Sequence, residues 1–364
     1  MNWPIKKLGD VLQISRGGSP RPIENYITED KNGLNWIKIG DVQVGAKYIT
    51  HTKEKIRQEG LAKTRQVKVG DFLLSNSMSF GRPYITKIDG CIHDGWLSLR
   101  DEAKIFNTDF LYHVLNSNAV KDQFIKYASG AVVKNLNIDA VSKVVVAIPP
   151  LAEQQRIAAL LDTADRILKL RESAIVKLDQ LAQSVFLNEL RAYDFSSFQL
   201  AEVAEMYQPK TISANELIEN GEYVVYGANG VIGRYDKFNH SDSEVLITCR
   251  GATCGTVNRS QPLAWITGNA MVVKPLNNIA TKDFLHYYFK FVADFSSVIT
   301  GAAQPQITRQ TLSRLMIQLP KLENQNKITI VVREIYKKHE LMNLSKNKLQ
   351  ELTSALQHQS FAVN

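Results

Sequence analysis

Apolar side chains recur at alternating intervals of four and three residues through Ile157, Leu161, Ala164, Leu168, Arg171, Ile175, Leu178, Ala182 and Val185, with Arg171 the one interruption. This heptad spacing keeps one seam of a helix turned toward a partner helix. No Pro or Gly falls between 151 and 189. A weaker stripe follows Ile328, Val332, Ile335, His339, Met342, Lys346, Leu349, Thr353 and Leu356, helped by Val331 and Leu352, in a stretch free of Pro and Gly from 321 to 361. At about 1.5 Å per residue, a helix of roughly 40 residues reaches about 60 Å. A helix that long must bury its stripe against something. The pattern predicts two long helices packed on each other as an antiparallel pair. The alternative is two helices each packed on its own domain.

Upstream of each helix the period changes. Runs such as Trp36–Val42 and Tyr223–Gly227 are rich in β-branched and aromatic residues and flanked by Gly, Asn and Asp, which predicts strands. Asn107 and Thr281 stand at N-cap positions of a short helix, with Asp109 and Asp283 two residues on, at the positive end of its dipole. Strands at Val144–Ile148 and Leu315–Leu319 then run into a proline, and the long helix follows.

This shared order reflects an internal repeat. Residues 130–157 align without gaps to 301–328, with identities at Gly130/Gly301, Ala131/Ala302, Ser142/Ser313, Pro149/Pro320, Leu151/Leu322, Gln154/Gln325 and Ile157/Ile328. Asp71–Ser75 matches Glu244–Thr248 more weakly, and the starts, 1–60 and 194–235, barely align. A repeat this long is no solenoid, whose period is about 20–50 residues. The chain therefore reads as two tandem copies of one module, globular parts at 1–150 and 193–320 and long helices at 151–192 and 321–364.

Composition narrows the class. The 364 residues include 44 Lys and Arg against 36 Asp and Glu, a formal charge of +8. The surplus is uneven: residues 1–150 carry +6, 151–192 zero, 193–320 −1 and 321–364 +3. The first globular part suits phosphate contact, and any nucleic-acid face on the second must be a local cluster. Apolar content of 44% excludes wholesale disorder. No segment approaches the roughly 18 apolar residues of a membrane helix, and the start lacks a secretory pattern. Cys91, Cys249 and Cys254 form no CxxC pair, which suits a reducing cytoplasm and argues against a zinc site.

No phosphate-binding loop, dinucleotide fingerprint, HExxH or GxSxG elbow is present. What remains are polar, glycine-bearing loops. One holds Arg16, Ser19 and Arg21; another, Ser75–Arg82, holds Ser75, Ser77 and Arg82. Its counterpart, Thr248–Gly255, holds Arg250 and Thr253. Lys134 and Asn135 pair with Gln304 and Gln306. Lys38, Tyr226 and Asn229, in or beside the β-like runs, complete the set. Arginine grips guanine or phosphate, and Asn or Gln reads adenine. Ordinary turns use the same residue types.

A variable module, then Ala-Ile-Pro-Pro-Leu-Ala-Glu-Gln-Gln-Arg-Ile at 147–157 opening a long helix, then the whole arrangement again, resembles the specificity subunit of type I restriction–modification systems. The resemblance covers essentially the full chain. The second copy departs from the signature at Lys321, Asn324 and Asn326. The resemblance implies an α+β fold: two β-rich mixed target-recognition domains in tandem, separated by a pair of long antiparallel coiled-coil-like helices in a pseudo-two-fold cyclic arrangement. It implies that each domain reads half of a bipartite double-stranded DNA target. The helices, meeting through Ile157, Leu161, Leu168, Ile175, Leu178, Val185, Ile328, Ile335, Met342, Leu349 and Leu356, would set the spacer and dock two modification subunits. Restriction subunits would join, and S-adenosylmethionine, ATP and Mg would sit on partners, leaving this chain no catalysis, cofactor or metal of its own. The alternative is a free-standing two-domain DNA-binding regulator.

Overall fold

A computed structural model describes residues 3–43, 45–76, 80–128, 135–276, 278–301 and 303–361. Ser77 and Lys134 lie outside the described residues. The chain divides into two compact units, residues 1–171 with 345–364, and residues 172–344.

In the first unit, Ile5–Lys7 pairs antiparallel with Val145–Ala147, placing the start of the module beside the strand that feeds the long helix. A sheet follows in the order Gln13–Arg16, Trp96–Arg100, Phe72–Ser75, Pro83–Thr86, Tyr48–Ile49. Its inner face packs on helices Thr108–Asn116 and Asn118–Tyr127 through Phe72, Leu74, Leu97, Leu99, Phe110 and Phe124, all buried. Phe72–Ser75, buried throughout, is a central strand rather than an alternating one. A second sheet runs Ile27–Thr28, Glu54–Ile56, Leu34–Ile37, Gly90–Ile92, Arg65–Val67, with Leu34–Ile37 and Gly90–Ile92 parallel. The strand expected over Trp36–Val42 ends at Ile37. There Asp41 accepts the backbone N–H of Lys38 at 2.8 Å and closes a 3₁₀ turn, Ile39–Asp41.

The second unit repeats the first sheet. Phe195–Gln199 pairs with Met316–Pro320, and the order Ala204–Tyr207, Ala270–Pro275, Val245–Thr248, Val257–Arg259 reproduces the first four strands. Registers agree as well: Trp96 faces Ser75 as Ala270 faces Thr248. The other sheet is smaller, Gly230–Tyr235, Tyr223–Gly227, Ala264–Ile266, again with a parallel pair at its heart.

The long helices span Leu151–Arg191 and Leu322–Phe361. Each unit takes part of both, and within each unit the two segments run antiparallel. In the first, Ile157 and Leu161 share a core with Leu356 and Phe361, and Arg171 donates to the Ser345 carbonyl at 2.6 Å. In the second, Ala182 and Phe186 share a core with Ile328 and Val332, and Tyr336 donates to Asp179 at 3.0 Å. Ile157, Leu161 and Ile328 are buried. Leu168, Ile175, Leu178, Val185, Ile335, Met342, Leu349 and Leu356 are half-buried. Val331 and Leu352, expected to help the second stripe, are exposed instead. Their neighbours Val332 and Thr353 take the inward positions, and the Thr353 hydroxyl is satisfied by the Leu349 carbonyl at 2.7 Å.

Candidate nucleic-acid interface

In the first unit, three expected residues converge on one turn, His93–Gly95. Arg16 Nε donates to the Asp94 carbonyl at 3.3 Å, Ser19 Oγ to Asp94 Oδ1 at 3.1 Å, and Arg21 lies 3.7 Å from Asp94 Oδ2. Two glycines permit this crossing. Gly17 and Gly18 donate backbone N–H groups to Trp96 and Ile92, and a Cβ on Gly17 would sit 2.1 Å from the His93 carbonyl oxygen. Beyond the crossing, a cleft of about 850 Å³ is lined by Ser19, Arg21, Trp36, Lys38, Glu54 and His93. Lys38 pairs with Glu54 at 2.5 Å across it. The arrangement offers donors on a wall stiffened by Trp36, which suits a phosphate backbone or a groove edge.

The two loops matched from sequence are structurally equivalent. Gly81 donates its N–H to Ser75 as Gly255 does to Thr248, both glycines in the left-handed region, at φ 77° and 89°. Ser75 N bonds to Arg82 O, and Thr248 N to Thr256 O. Arg82 therefore corresponds to Thr256, not to Gly255 as in the ungapped match, because the second loop is one residue longer. Ser75 and Thr248 are buried and hold the loop frame, so Ser75 is not placed to touch a groove. Arg82 lines a separate cleft of about 670 Å³ with Tyr112, Lys121, Phe124, Asp165 and Lys169. Burial there, aided by Arg82, holds the Lys121 ammonium below its ordinary range.

In the second unit, the two expected loops meet. Arg250 bridges to Gln306, Gly251 donates to Pro305 O at 3.0 Å, and Ile307 to Cys249 O at 2.8 Å. Arg250, Thr253, Gln304 and Gln306 are all exposed on this cluster. Its first-unit counterpart has Leu136 donating to Asn76 O at 2.9 Å, next to exposed Asn135. Asn229 is exposed at a hairpin turn and accepts from Asn258 at 3.5 Å, while half-buried Tyr226 accepts the Gln261 N–H at 3.1 Å.

Sequence reading missed the segment Tyr207–Thr211. It occupies in the second unit the place of Ser15–Ser19: Gln208 Nε2 donates to the Gly268 carbonyl at 2.9 Å, as Arg16 does to Asp94. The signal was positional only, a polar stretch directly after the first strand of the sheet.

The joint between globular part and long helix is also duplicated, with different chemistry. Asp162 accepts from buried His113 at 2.9 Å and from Lys47 at 2.8 Å, and Lys47 also pairs with Asp109. Burial pushes the Asp162 carboxyl up, but the Lys47 and His113 hydrogen bonds outweigh it and hold the group below the usual range. In the second unit Asp283, the equivalent of Asp109, pairs directly at 2.6 Å with Arg333, which stands at the place of Asp162, and also with Arg259. Asp179 there gathers Tyr336, His339 and Lys290, and burial together with Asp179 pushes the Tyr336 phenol far up.

Among the described residues no group of three or more His, Cys, Asp or Glu side chains could hold a metal ion. No helix of the described residues is long and apolar enough to cross a membrane.

A family model, the type I restriction modification DNA specificity domain, matches residues 1–180 and again 193–351. The chain belongs to this family. Two specificity domains in tandem make it a type I specificity subunit. Among curated relatives, it is similar to the type I restriction enzyme EcoprrI specificity subunit of Escherichia coli, at 21% identity over 89% of this chain and 85% of that one. The MjaVIII specificity subunit of Methanocaldococcus jannaschii is 19% identical over 96% and 90%. The fold matches the crystal structure of a type I S subunit from M. genitalium with a TM-score of 0.64 at 15% identity, covering 100% of this chain and 97% of that chain. A chain from a study of complex assembly and conformational transition of the type I R-M system gives 0.61 at 18%, over 98% and 97%. The two specificity domains share the scaffold sheet and the helix joint, and differ in the clefts and loops above.

Proposed function

We propose that this type I specificity subunit reads a bipartite double-stranded DNA target, one half through the cleft and loops of each domain, while the paired helices set the spacer and dock two modification subunits. Restriction subunits join the assembly for cleavage. S-adenosylmethionine, ATP and Mg belong on the partner subunits, and the chain acts in the cytoplasm.

The observation that carries the reading is one scaffold used twice under different surfaces. Arg16, Ser19, Arg21 and Lys38 stand over one copy, and Arg250, Thr253, Gln304 and Gln306 over the other. Base contacts specify and phosphate contacts position, so unlike surfaces on like frames suit unlike half-sites.

Docking of two modification subunits is supported by exposed apolar side chains that recur with the repeat. Leu160, Leu170 and Leu181 correspond to Val331, Leu341 and Leu352, and all six are exposed. Each unit carries one complete set: Leu160, Leu170 and Leu352 in the first, Val331, Leu341 and Leu181 in the second. Apolar side chains exposed at equivalent places on both long helices suit one contact surface made twice.

The test is to co-express the chain with its modification subunits and map methylated positions across a genome. Two separated half-sites at a fixed spacing are expected. A single continuous target, or methylation unaffected by removing this chain, would overturn the proposal.

A further inference from the structure

The globular part of the second specificity domain, residues 193–320, carries no basic surplus, so its DNA face must be local. The segment equivalent to Ser15–Ser19 leads to one. Tyr207 faces Val272 in the ladder as Ser15 faces Ser98, and Gln208 then crosses the turn at Gly268. A Cβ on Gly268 would lie 2.6 Å from the Pro209 carbonyl oxygen, so here the turn rather than the crossing strand supplies the glycine. Beyond it lies a cleft of about 440 Å³ walled by Tyr207, Lys210, Asn239, His240, Trp265 and Lys274.

The polar groups of this cleft are fixed in direction. Asn239 is locked to the strand Ala264–Ile266, its Nδ2 donating to Ile266 O at 2.9 Å and its Oδ1 accepting Ile266 N at 2.8 Å. Oδ1 is thus an acceptor, and it lies 2.6 Å from His240 Nδ1, which must carry the proton. His240 Nε2 is then the acceptor for the Tyr207 hydroxyl at 3.0 Å, with the two rings stacked at 6.0 Å. Burial keeps the imidazole below its ordinary pKa, against an opposing pull from Glu244, and so in this neutral form. With its proton committed inward, the Tyr207 oxygen offers lone pairs to a ligand. The Trp265 indole N–H is buried without a hydrogen-bond partner among the described residues. Lys210 and Lys274 are exposed at the margin. Of the two acids there, Glu244 is held by Lys282 at 3.1 Å, and Asp242 faces solvent.

We propose that this cleft is part of the reading surface of the second domain: the Tyr207 oxygen accepts a hydrogen bond from a base amino group, cytosine N4 or adenine N6, while Lys210 and Lys274 contact the flanking phosphates. The inference rests on the bipartite-reading function. An acceptor aimed at the major groove selects those amino groups over the O6 and O4 acceptors of guanine and thymine.

The experiment uses the full chain assembled with its modification subunits and duplexes altered one base pair at a time in each half-site. Tyr207→Phe should relax discrimination by about 5- to 150-fold at one position of one half-site and leave the other half-site intact. Lys210→Ala with Lys274→Ala, both exposed and harmless to folding, should weaken binding to every duplex and reduce the salt slope by about 1.8. If Tyr207→Phe keeps full discrimination, or the lysine pair leaves the salt slope unchanged, while the wild-type complex still recognises two half-sites, the cleft is not part of the reading surface and the bipartite function stands. A wild-type complex that recognises no bipartite target overturns both.

Discussion

Gln154 accepts the backbone N–H of Asn107 at 2.7 Å, the residue whose own side chain caps the helix Thr108–Asn116. The same buried amide donates to the carbonyls of Ile105 and Pro149. Gln325 does this again: it accepts from the capping residue Thr281 at 2.9 Å and donates to Ile279 and Pro320. One side chain thus ties a helix start, the turn before it and the entry to the long helix. Substituting Gln154 or Gln325 by Ala would leave one N–H and two carbonyls unsatisfied in a buried place. Each should cost about 2–4 kcal/mol by urea denaturation. Glu should fail to rescue, because a carboxylate cannot donate to the two carbonyls. Stability unchanged in Gln154→Ala would show that the amide is dispensable.

Stability of the second unit should fall in mild acid through His286. Its ring is half-buried, Nδ1 is buried without a hydrogen-bond partner among the described residues, and burial, with Arg259 and Lys290 nearby, holds its pKa down to about 4. The unfolded value is about 6.5, so between the two the unfolded chain binds the proton and the folded one does not. The contribution is complete above pH 6.5, declines as pH falls toward 4, and is lost below. About 2 kcal/mol should disappear between pH 7 and pH 5 in the wild type. His286→Leu should remove that component of the pH dependence in a denaturant titration at both pH values.

Leu170→Glu and Leu341→Glu should each remove one modification subunit from the assembly, and together both. These side chains are 61% and 66% exposed, so the variants should fold normally. Native mass spectrometry reads the stoichiometry. Full occupancy in the double variant would place docking elsewhere.

Lengthening both helices should lengthen the spacer. Seven residues inserted after Arg171 and seven after Leu344 preserve the heptad phase and add about 10 Å. At about 3.4 Å per base pair, the half-sites should move apart by roughly three base pairs. Methylome mapping of the variant checks this, and an unchanged spacer in an active enzyme would remove the helices as the ruler.

The sequence disclosed what packing repeats and hid what recognition varies. Gln154 and Gln325 stood out because identical frames need identical buried amides, and Asn107 and Thr281 because a cap has few chemical solutions. The heptad count placed Val332 inward, as found, but the exposure of its expected helpers Val331 and Leu352 was not legible, since an apolar residue beside a stripe is covered only where a neighbouring surface reaches it. The ungapped match of Ser75–Arg82 to Thr248–Gly255 set Arg82 opposite Gly255; one extra residue in the second loop moves it opposite Thr256. Tyr207–Thr211 was invisible beside Ser15–Ser19 because their equivalence is carried by backbone ladders and a shared turn carbonyl, which no side-chain alignment records.

Phe361 is buried against Phe110, its ring centroid 5.7 Å away, in the core of the first unit. On the ribosome this inverts the usual order, in which the N-terminal domain is finished first. Residues 172–344 make a compact unit without residues 345–361, so they can close before those residues dock. The first domain to emerge waits, with the Phe110 face of its core uncovered, until the last turns of the second helix arrive. The released chain truncated before Ser345 should present a protease-resistant second half and a nickable first half.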